Sequence, residues 1–269
     1  MADAIEQRYG PWAVVAGASD GVGAAFAEQL AAAGISVVLV ARREALLEEL
    51  AARLPVQTRV VGLDLSVPGA IDALVAATAD LEVGLLVCNA GADTVNLPLL
   101  SWDLDELRRL VQRNCTAVLE ASYAFGRGMV DRGRGGVVLV TSGAAWAGGA
   151  TLAAYSATKA FDANLAESLW AEWHPRGVHV LSLVLGPTDT PALQRSLARH
   201  GGHMDNLADP VAVAVEAIAH LADGPTWAYG MPDPAGPSPL GTLSRREAVE
   251  LMTAGAAAVA AEPGLRGVT

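Results

Sequence analysis

The chain reads WAVVAGASDGVGAAFAEQLAAAG from Trp12 to Gly34, and this stretch decides the fold class. Its first residues are apolar and rich in β-branched side chains, which predicts a buried strand over 12–16. Its later residues carry apolar side chains at helical spacing, which predicts a helix over about 23–33. Glycines separate the two elements and allow the backbone to turn tightly between them. The stretch therefore predicts a strand, a glycine-rich loop and a helix near the start of an α/β fold.

The same alternation of short apolar runs and longer helical patterns continues along the chain. We predict buried strands at 12–16, 36–40, 58–63, 84–88, 137–141 and 178–184, and helices at about 23–33, 44–53, 68–79, 104–130 and 155–173. This alternation implies right-handed crossovers and a Rossmann-type, doubly wound parallel sheet. Ligands of such sheets bind beyond the carboxyl ends of the strands, so polar residues that follow strands are the candidate site residues.

We assign the whole chain, 1–269, to a single domain with a core at about 9–230. Residues 231–269 would form a proline-rich connector and a last helix, which Ser244 and Glu247 would open as a capping box. A loosely ordered tail is the alternative for this segment.

Composition excludes several classes of function. The net charge is −11, so the chain lacks the clustered cations that nucleic-acid binding needs. Cys88 and Cys115 have no disulfide-like spacing, and we interpret them as reduced thiols of a cytoplasmic protein, with Cys88 in the core. The histidines show no metal-ligand spacing, and His200 and His203 are interpreted as solvated loop residues. The chain has no signal-like apolar segment and no uninterrupted apolar stretch of ~18 residues, so we expect no membrane span.

The glycine loop has the features of a dinucleotide-binding loop. Glycine lets the backbone approach a pyrophosphate, and the following helix offers unpaired N–H groups and the positive end of its dipole. The spacing is G-x-x-x-G-x-G rather than the common G-x-G-x-x-G, so the position between strand and helix carries the prediction, with a structural turn as the alternative. The candidate cofactor contacts here are Gly17, Ser19, Asp20, Gly21, Val22 and Gly23.

Arg42 and Arg43 follow the second predicted strand, where an NAD enzyme usually presents a carboxylate to the ribose 2′-hydroxyl. Two guanidiniums suit a 2′-phosphate instead, which favours NADP over NAD. The alternative is that both arginines pair with glutamates of the following helix. Asp20 weighs against NADP, because a basic residue in the glycine loop would have favoured it further.

Further candidate contacts follow the next two strands. Asp64, with Leu65 beside it, could accept a hydrogen bond from an adenine amino group, or could cap a helix. In Asn89-Ala90-Gly91, small residues suit a backbone that runs close to a cofactor, and the asparagine can bridge neighbouring strand ends.

Lys159 is the single lysine of a chain whose other basic side chains include seventeen arginines. Tyr155 lies four residues upstream, which on a helix puts both side chains on one face. An ammonium beside a phenol favours the phenolate form, and a guanidinium cannot replace its compact geometry. The pair therefore predicts acid–base chemistry, and an exposed lysine beside a buried tyrosine is the alternative.

These residues together resemble the short-chain dehydrogenase/reductase family over about 9–230. The matching elements are Gly17-x-x-x-Gly21-x-Gly23, Asn89-Ala90-Gly91, Asn114, Ser142 and Tyr155-x-x-x-Lys159. Segments such as 9–15 and 155–159 are similar to the branch of 3-ketoacyl-CoA reductases and 17β-hydroxysteroid dehydrogenases. The chain departs from the family pattern at Ala16, where threonine is usual, at Cys88, where asparagine is usual, and at Leu185, where proline is usual.

The resemblance implies hydride transfer between a nicotinamide cofactor and a ketone or secondary alcohol. Tyr155 would donate the proton, Lys159 would supply positive charge, and Ser142 would hold the substrate oxygen. Asn114, placed in the helix 104–130, would hold a water that links Lys159 to solvent. The alternatives are a turn or helix cap for Ser142 and a helix-surface residue for Asn114.

The resemblance also implies cofactor contacts from Gly186, Thr188 and Thr190, the last with the nicotinamide carboxamide. It implies a homodimer or homotetramer as well.

We expect an apolar substrate, such as a 3-oxoacyl thioester or a steroid, and a mobile lid over 186–204. The segments that would wall the pocket, 143–151 and 185–204, carry few fixed charges and supply or adjoin Trp146, Leu152, Leu193 and Leu197. The alternative from another class is a non-catalytic NADP-binding sensor that recruits a partner. Such a protein would have little reason to keep its single lysine at position 159.

Overall fold

The computed structural model describes residues 2–91, 96–200 and 202–259. Within these residues, parallel strands form one sheet: β1 (Trp12–Ala16), β2 (Ser36–Ala41), β3 (Thr58–Gly62), β4 (Val83–Cys88), β5 (Gly135–Ser142), β6 (Val178–Leu185) and β7 (Thr226–Ala228). Their order across the sheet is β3-β2-β1-β4-β5-β6-β7. The predicted doubly wound parallel sheet is confirmed.

The six predicted strands are confirmed to within two residues at each end. The seventh, β7, was not predicted, because its three residues follow Pro225 and are too few to show a strand pattern. It extends the sheet by pairing with the carboxyl-terminal half of β6, with Ser182 opposite Thr226.

The helices flank the sheet and connect its strands. They are α1 (Ala2–Tyr9), α2 (Gly21–Ala32), α3 (Glu44–Ala51), α4 (Ala70–Ala77), α5 (Leu104–Val111), α6 (Ala117–Arg132), α7 (Ala153–Trp173), α8 (Pro191–His200), α9 (Pro210–Ala219) and α10 (Arg245–Val259). The predicted helix over 104–130 is confirmed as a helical run from Leu104 to Arg132, but it is not a regular α-helix throughout. A π-helical segment, Gln112–Thr116, separates α5 from α6, because its hydrogen bonds span five residues rather than four.

The core lies on both faces of the sheet, as expected for parallel strands that are buried on both sides. On one face, strand residues such as Leu39 pack with Phe26 of α2 and with α3 and α9. On the other face, Leu86 packs with Leu74 of α4 and with α6 and α7. Neighbouring residues of one strand alternate between these two clusters, which fixes each strand in its register.

The chain runs from β1 outward to β3 and then returns to place β4 on the other side of β1. This reversal leaves a crevice at the carboxyl ends of β1 and β4, where ligands of such sheets bind. The glycine loop and the 89–91 segment both begin at this crevice.

The last helix is tied to the segment that follows β5. Arg245 donates a hydrogen bond to the carbonyl oxygen of Trp146 at 3.0 Å, and Ala150 N–H donates to Thr253 Oγ1 at 3.0 Å. The predicted capping box is confirmed, because the backbone N–H groups of Ser244 and Glu247 each donate to the other's side chain. No helix in the described part of the chain is long and apolar enough to cross a bilayer.

Candidate active site

The glycine loop has the shape of a cradle for a phosphate group. Gly17 and Gly21 have φ angles of +85° and +57°, which other residues rarely adopt. A side chain at Gly23 would overlap the carbonyl oxygen of Gly17, so glycine is required there to let α2 begin against the end of β1. The loop therefore exposes backbone rather than side chains at the N-terminus of α2, as a pyrophosphate needs.

The 89–91 segment braces this loop from the neighbouring strand. The backbone N–H groups of Asn89 and Ala90 both donate to the carbonyl oxygen of Ala16, at 3.1 and 3.0 Å. The Asn89 amide also donates to the carbonyl oxygen of Gly17 at 3.2 Å, so the predicted bridge between strand ends is confirmed. These backbone contacts join the ends of β1 and β4 although Ala16 lacks the hydroxyl usual at its position.

Arg43 reaches back over the glycine loop from the end of β2. Its guanidinium donates to Asp20 Oδ2 at 2.5 Å and to Ser19 Oγ at 2.8 Å. The alternative pairing of Arg43 with glutamates of α3 is therefore wrong. Arg195 of α8 also lies 3.6 Å from Asp20, so one carboxylate joins the loop, the end of β2 and the segment after β6.

Asp64 lies beyond the end of β3 and accepts two hydrogen bonds from Ser66, from its N–H at 3.0 Å and from its hydroxyl at 2.7 Å. Partial burial acts to raise its pKa, but these bonds and the charges of Arg42 and Arg113 hold the pKa below its ordinary value. Asp64 does not cap a helix, since α4 begins at Ala70 with Gly69 before it. The neighbouring Leu65 is buried in the core.

Lys159 is buried, with 4% of the residue exposed. Its ammonium donates to the carbonyl oxygen of Val140 at 2.8 Å and to Asp162 Oδ2 at 3.0 Å. A side-chain carbon at Gly91 would lie only 2.9 Å from Nζ, so glycine at that position leaves room for the ammonium. Lys159 is thus not the exposed residue of the alternative interpretation, and it shares one face of α7 with the half-buried Tyr155.

Asn114 lies inside the π-helical segment and is fully buried, so it is not a helix-surface residue. Its amide donates to the carbonyl oxygen of Gly91 at 3.1 Å and to Thr158 Oγ1 at 3.0 Å. Its Oδ1 accepts from Arg113 Nε at 3.1 Å. Asn114 therefore links the 89–91 segment to the helical turn that carries Lys159.

The remaining candidates follow β5 and β6. Ser142 Oγ accepts from the N–H of Ala144 at 3.2 Å, which is the turn cap of the alternative interpretation and leaves the hydroxyl proton free to donate. Thr190 packs its methyl group against the glycine loop, where a side-chain carbon on Gly21 would lie 2.9 Å away. Thr188 is buried, and its hydroxyl donates to the carbonyl oxygen of Gly186 at 3.1 Å.

Asp162 is a site residue that the sequence reasoning missed, although it lies one turn after Lys159 on the same helix. It is 2% exposed, and burial raises its pKa against the opposing charge and hydrogen bond of Lys159. The i, i+3 spacing of a carboxylate after the single lysine was the available signal. Cys88 and Cys115 lie near this pair, and burial raises the pKa of their thiols to about 12 and about 11.

No cluster of metal-ligating side chains occurs among the described residues. His203 is exposed and lies 3.0 Å from Asp205. His200 ends α8, and Gly201 lies outside the described residues.

Comparisons with known proteins identify the family of the chain. The family model for short chain dehydrogenases matches residues 11–200. A very-long-chain 3-oxoacyl-CoA reductase of Meyerozyma guilliermondii is 36% identical over 202 residues, which are 70% of this chain and only 59% of that protein. A 7β-hydroxysteroid dehydrogenase of Collinsella aerofaciens is 33% identical over 198 residues, which are 72% of this chain and 74% of that protein.

A solved structure is similar along almost its whole length. A short-chain dehydrogenase from Sphingobium yanoikuyae, in complex with NADPH, has a TM-score of 0.74 and 26% identity, and covers 96% of this chain and 98% of its own. The family model covers well over half of the chain. The two relatives, a 3-oxoacyl-CoA reductase and a hydroxysteroid dehydrogenase, are of the kinds that the sequence resembles. The chain therefore belongs to the short-chain dehydrogenase family of oxidoreductases, and within it is similar to very-long-chain 3-oxoacyl-CoA reductases and 7β-hydroxysteroid dehydrogenases.

Proposed function

We propose that the protein is an NADP(H)-dependent oxidoreductase that interconverts a ketone and a secondary alcohol. The observation that carries this proposal is the position of Lys159. The only lysine of the chain is buried on one face of α7 with Tyr155, beside the glycine of the 89–91 segment. A buried ammonium needs a reason to be there, because its desolvation is costly unless it is compensated. Asp162 and the Val140 carbonyl compensate this cost, and the remaining N–H and the positive charge are available to stabilise a phenolate at Tyr155.

The side chains divide the proposed reaction between them. Bound NADPH would supply the hydride. Tyr155 donates a proton to the oxygen that gains alkoxide character, and Lys159 stabilises the phenolate that remains. Ser142 donates a hydrogen bond to the same oxygen, since its hydroxyl proton is not used by Ala144. Asn114 holds the Lys159 turn and the 89–91 segment in register.

NADP is favoured over NAD by the charges beyond β2. Arg42 and Arg43 are exposed there, and no carboxylate stands between Val40 and Glu44 to hold a ribose 2′-hydroxyl. The relative solved with NADPH supports the same choice. Arg43 contacts Asp20 and Ser19, which keeps its guanidinium beside the glycine loop proposed to bind the cofactor.

An apolar ketone is the proposed substrate class, with 3-oxoacyl thioesters and steroids as the leading candidates. The chain spans only 59% of the reductase from Meyerozyma guilliermondii, so reduction of a 3-oxoacyl thioester is a proposal for this chain. Trp146 and Leu193 belong to the segments that follow β5 and β6, beside Ser142 and Thr190. Both segments are poor in charge, which suits an apolar substrate.

The test is a panel of ketones and alcohols followed by NADPH absorbance. It should span acyl thioesters, steroids and small cyclic ketones, with NADPH or NADH for the ketones and with NADP+ or NAD+ for the alcohols. We expect turnover of at least one bulky apolar ketone. A chain that binds NADPH tightly and oxidises it with no member of the panel would instead be the non-catalytic sensor.

We also propose a homodimer or homotetramer in the cytoplasm. A groove of about 390 Å³ runs along α7 beside Phe161 and Leu165, and Tyr123 of α6 is 67% exposed. Both cysteines are free thiols, as in a reducing compartment. Sedimentation at several concentrations tests the assembly, and a monomer throughout would contradict it.

A further inference from the structure

Asp162 is a buried carboxylate in direct contact with the proposed acid–base pair. Its Oδ2 accepts from Lys159 Nζ at 3.0 Å, and the two side chains are 3% and 5% exposed. Its other oxygen, Oδ1, is buried and has no hydrogen-bond partner among the described residues. A polar atom left in this condition carries a desolvation cost, so the carboxylate is not there for packing alone.

The contact uses part of the donor capacity of the lysine. An ammonium has three N–H groups, and Val140 and Asp162 accept from two of them. One N–H therefore remains for the proposed site. Gly91 closes the space on another side of Nζ, which limits where the ammonium can move.

The carboxylate also supplies the counter-charge that a buried ammonium needs. Without it, Lys159 would be a desolvated cation held by a single carbonyl, and such groups give up their proton more readily. The pair thus stabilises the charged form of Lys159 in a position that water barely reaches.

We propose that Asp162 is a positioning residue that keeps Lys159 charged and in place, and through it sets the pH range over which Tyr155 exchanges its proton. The catalytic half of this statement rests on the proposed function. The claim that Asp162 keeps Lys159 charged does not rest on it, and that claim can be tested even if the protein shows no enzymatic activity.

Two thiols lie near the pair in the part of the chain that the structure describes. They are Cys88 at the end of β4 and Cys115 in the π-helical segment, and the charged Arg113 lies next to this cluster, where its Nε donates to Asn114 Oδ1 at 3.1 Å. Burial raises the pKa of both thiols to about 11 or above, so they stay neutral across the neutral range. The two thiols therefore add no charge of their own to the pair near neutral pH.

The sole lysine makes the direct experiment possible. Protein grown on lysine labelled at Cε and Nζ, with a lysine-free tag, gives one side-chain signal by NMR. That signal is followed from about pH 6 to 11, the range in which lysine ordinarily loses its proton. The native chain is compared with Asp162→Asn and with Glu172→Gln, an exposed carboxylate on the same helix.

We expect the midpoint of the Lys159 signal to fall by roughly 1–3 pH units in Asp162→Asn, because an adjacent negative charge is lost. Glu172→Gln should match the native chain. Coincident midpoints for Asp162→Asn and the native chain would overturn the proposal. If Asp162→Asn does not fold, the native chain still decides, since a neutral amine at Lys159 near pH 7 would also overturn it.

A ketone identified by the panel gives the second readout. We expect the alkaline limb of kcat/KM for reduction to move to lower pH in Asp162→Asn, while the KM for NADPH stays within about twofold. A uniform loss of rate with an unshifted profile would assign Asp162 a purely structural role. Absence of turnover in the native chain would count against the proposed function and leave the NMR result standing.

Discussion

Tyr155 is the residue on which the proposed chemistry depends most directly. Replacing it with phenylalanine keeps the ring and removes the proton donor. We expect Tyr155→Phe to lower kcat/KM for ketone reduction by at least about 10²-fold, the usual contribution of a general acid. The melting temperature should stay within a few degrees, because the tyrosine is only half-buried.

Tyr123→Phe is the matched control, since this tyrosine is 67% exposed on α6. It should leave the rate unchanged. Near-native turnover by a folded Tyr155→Phe protein would refute the mechanism.

Lys159→Arg separates charge from geometry. A guanidinium keeps the charge but is larger, planar and resistant to losing a proton. The space around Nζ is bounded by Gly91, Val140 and Asp162, so we expect most of the activity to be lost while the far-UV circular dichroism stays native-like. Arginine that supports a near-native rate would show that Lys159 acts only as a charge.

Arg42 and Arg43 should determine the choice of cofactor. The double variant Arg42→Ala/Arg43→Ala should bind NADPH more weakly and NADH almost unchanged. Hydrogen bonds to charged groups contribute ~1.5–3 kcal/mol each, so the gap between the cofactors should narrow by several kcal/mol at most. Titration calorimetry measures both affinities.

The control for this pair is Arg53→Ala, an exposed arginine beyond α3 that pairs with Glu28. Its affinities should match the native chain. Equal affinity of the native chain for NADPH and NADH would contradict the assignment to NADP.

At the scale of elements, side-chain contacts join the glycine loop to α8 and to the residue before it. Arg195 lies 3.6 Å from Asp20, and Thr190 packs against Gly21. We expect NADPH with a reducible ketone to slow hydrogen exchange in peptides covering 189–200, because the predicted lid closes over bound ligand.

Peptides from the middle and end of α9 serve as the internal reference for this measurement, since its buried face holds it in place. Exchange in 189–200 that is unchanged by ligand would argue against a lid.

The elements that the sequence predicted are those with a periodic signal. Buried strands such as β2 show as β-branched runs, and α3 and α5 show as amphipathic stretches. The π-helical turn at Gln112–Thr116 could not be predicted, because its residues continue the helical pattern on either side. The type of helix is set there by packing of Asn114 against Gly91 and Thr158.

The site residues also differ in whether the sequence could predict them. Gly17 and Tyr155 belong to motifs with fixed spacing, so they were predictable. The pairing of Arg43 with Asp20 joins residues 23 positions apart whose neighbourhood only the fold creates. The contact of Asp162 with Lys159 could have been predicted, since the two residues are three positions apart on one helix.

At the scale of the whole molecule, α1 is fastened to the opposite end of the sheet from the site. Tyr9 contacts His179 Nδ1 at 2.7 Å, and Arg8 contacts its Nε2 at 3.3 Å. Because a guanidinium only donates, Nε2 must accept, and Nδ1–H donates to the tyrosine oxygen. This arrangement requires a neutral imidazole, and a proton on Nε2 would face the Arg8 charge.

Stability should therefore depend on pH in the weakly acidic range. In the folded protein the pKa of His179 is lowered, mainly by burial and further by the charges of Arg8 and His174. The unfolded chain takes up its proton near pH ~6.5, before the folded one does. The stabilisation is complete above that pH, and the free energy of unfolding should decline as pH falls from ~6.5 towards the folded value.

Urea unfolding at several pH values from about 7.5 to 5 tests this. His179→Asn should be less stable at neutral pH and show a flatter dependence. His203→Asn, which alters an exposed imidazole, should follow the native curve. Parallel curves for the native chain and His179→Asn would show that His179 does not carry the dependence.

The π-helical turn has a consequence for how this chain can change over evolution. A π turn holds one residue more than the α turn it replaces, so deleting a residue from 112–116 would leave a regular helix. That helix would keep α5 and α6 in nearly the same relative orientation, yet the deletion would remove the local widening in which Asn114 reaches Gly91 and Thr158. Insertions and deletions should therefore be tolerated at loop tips of this protein and selected against in the middle of this helix.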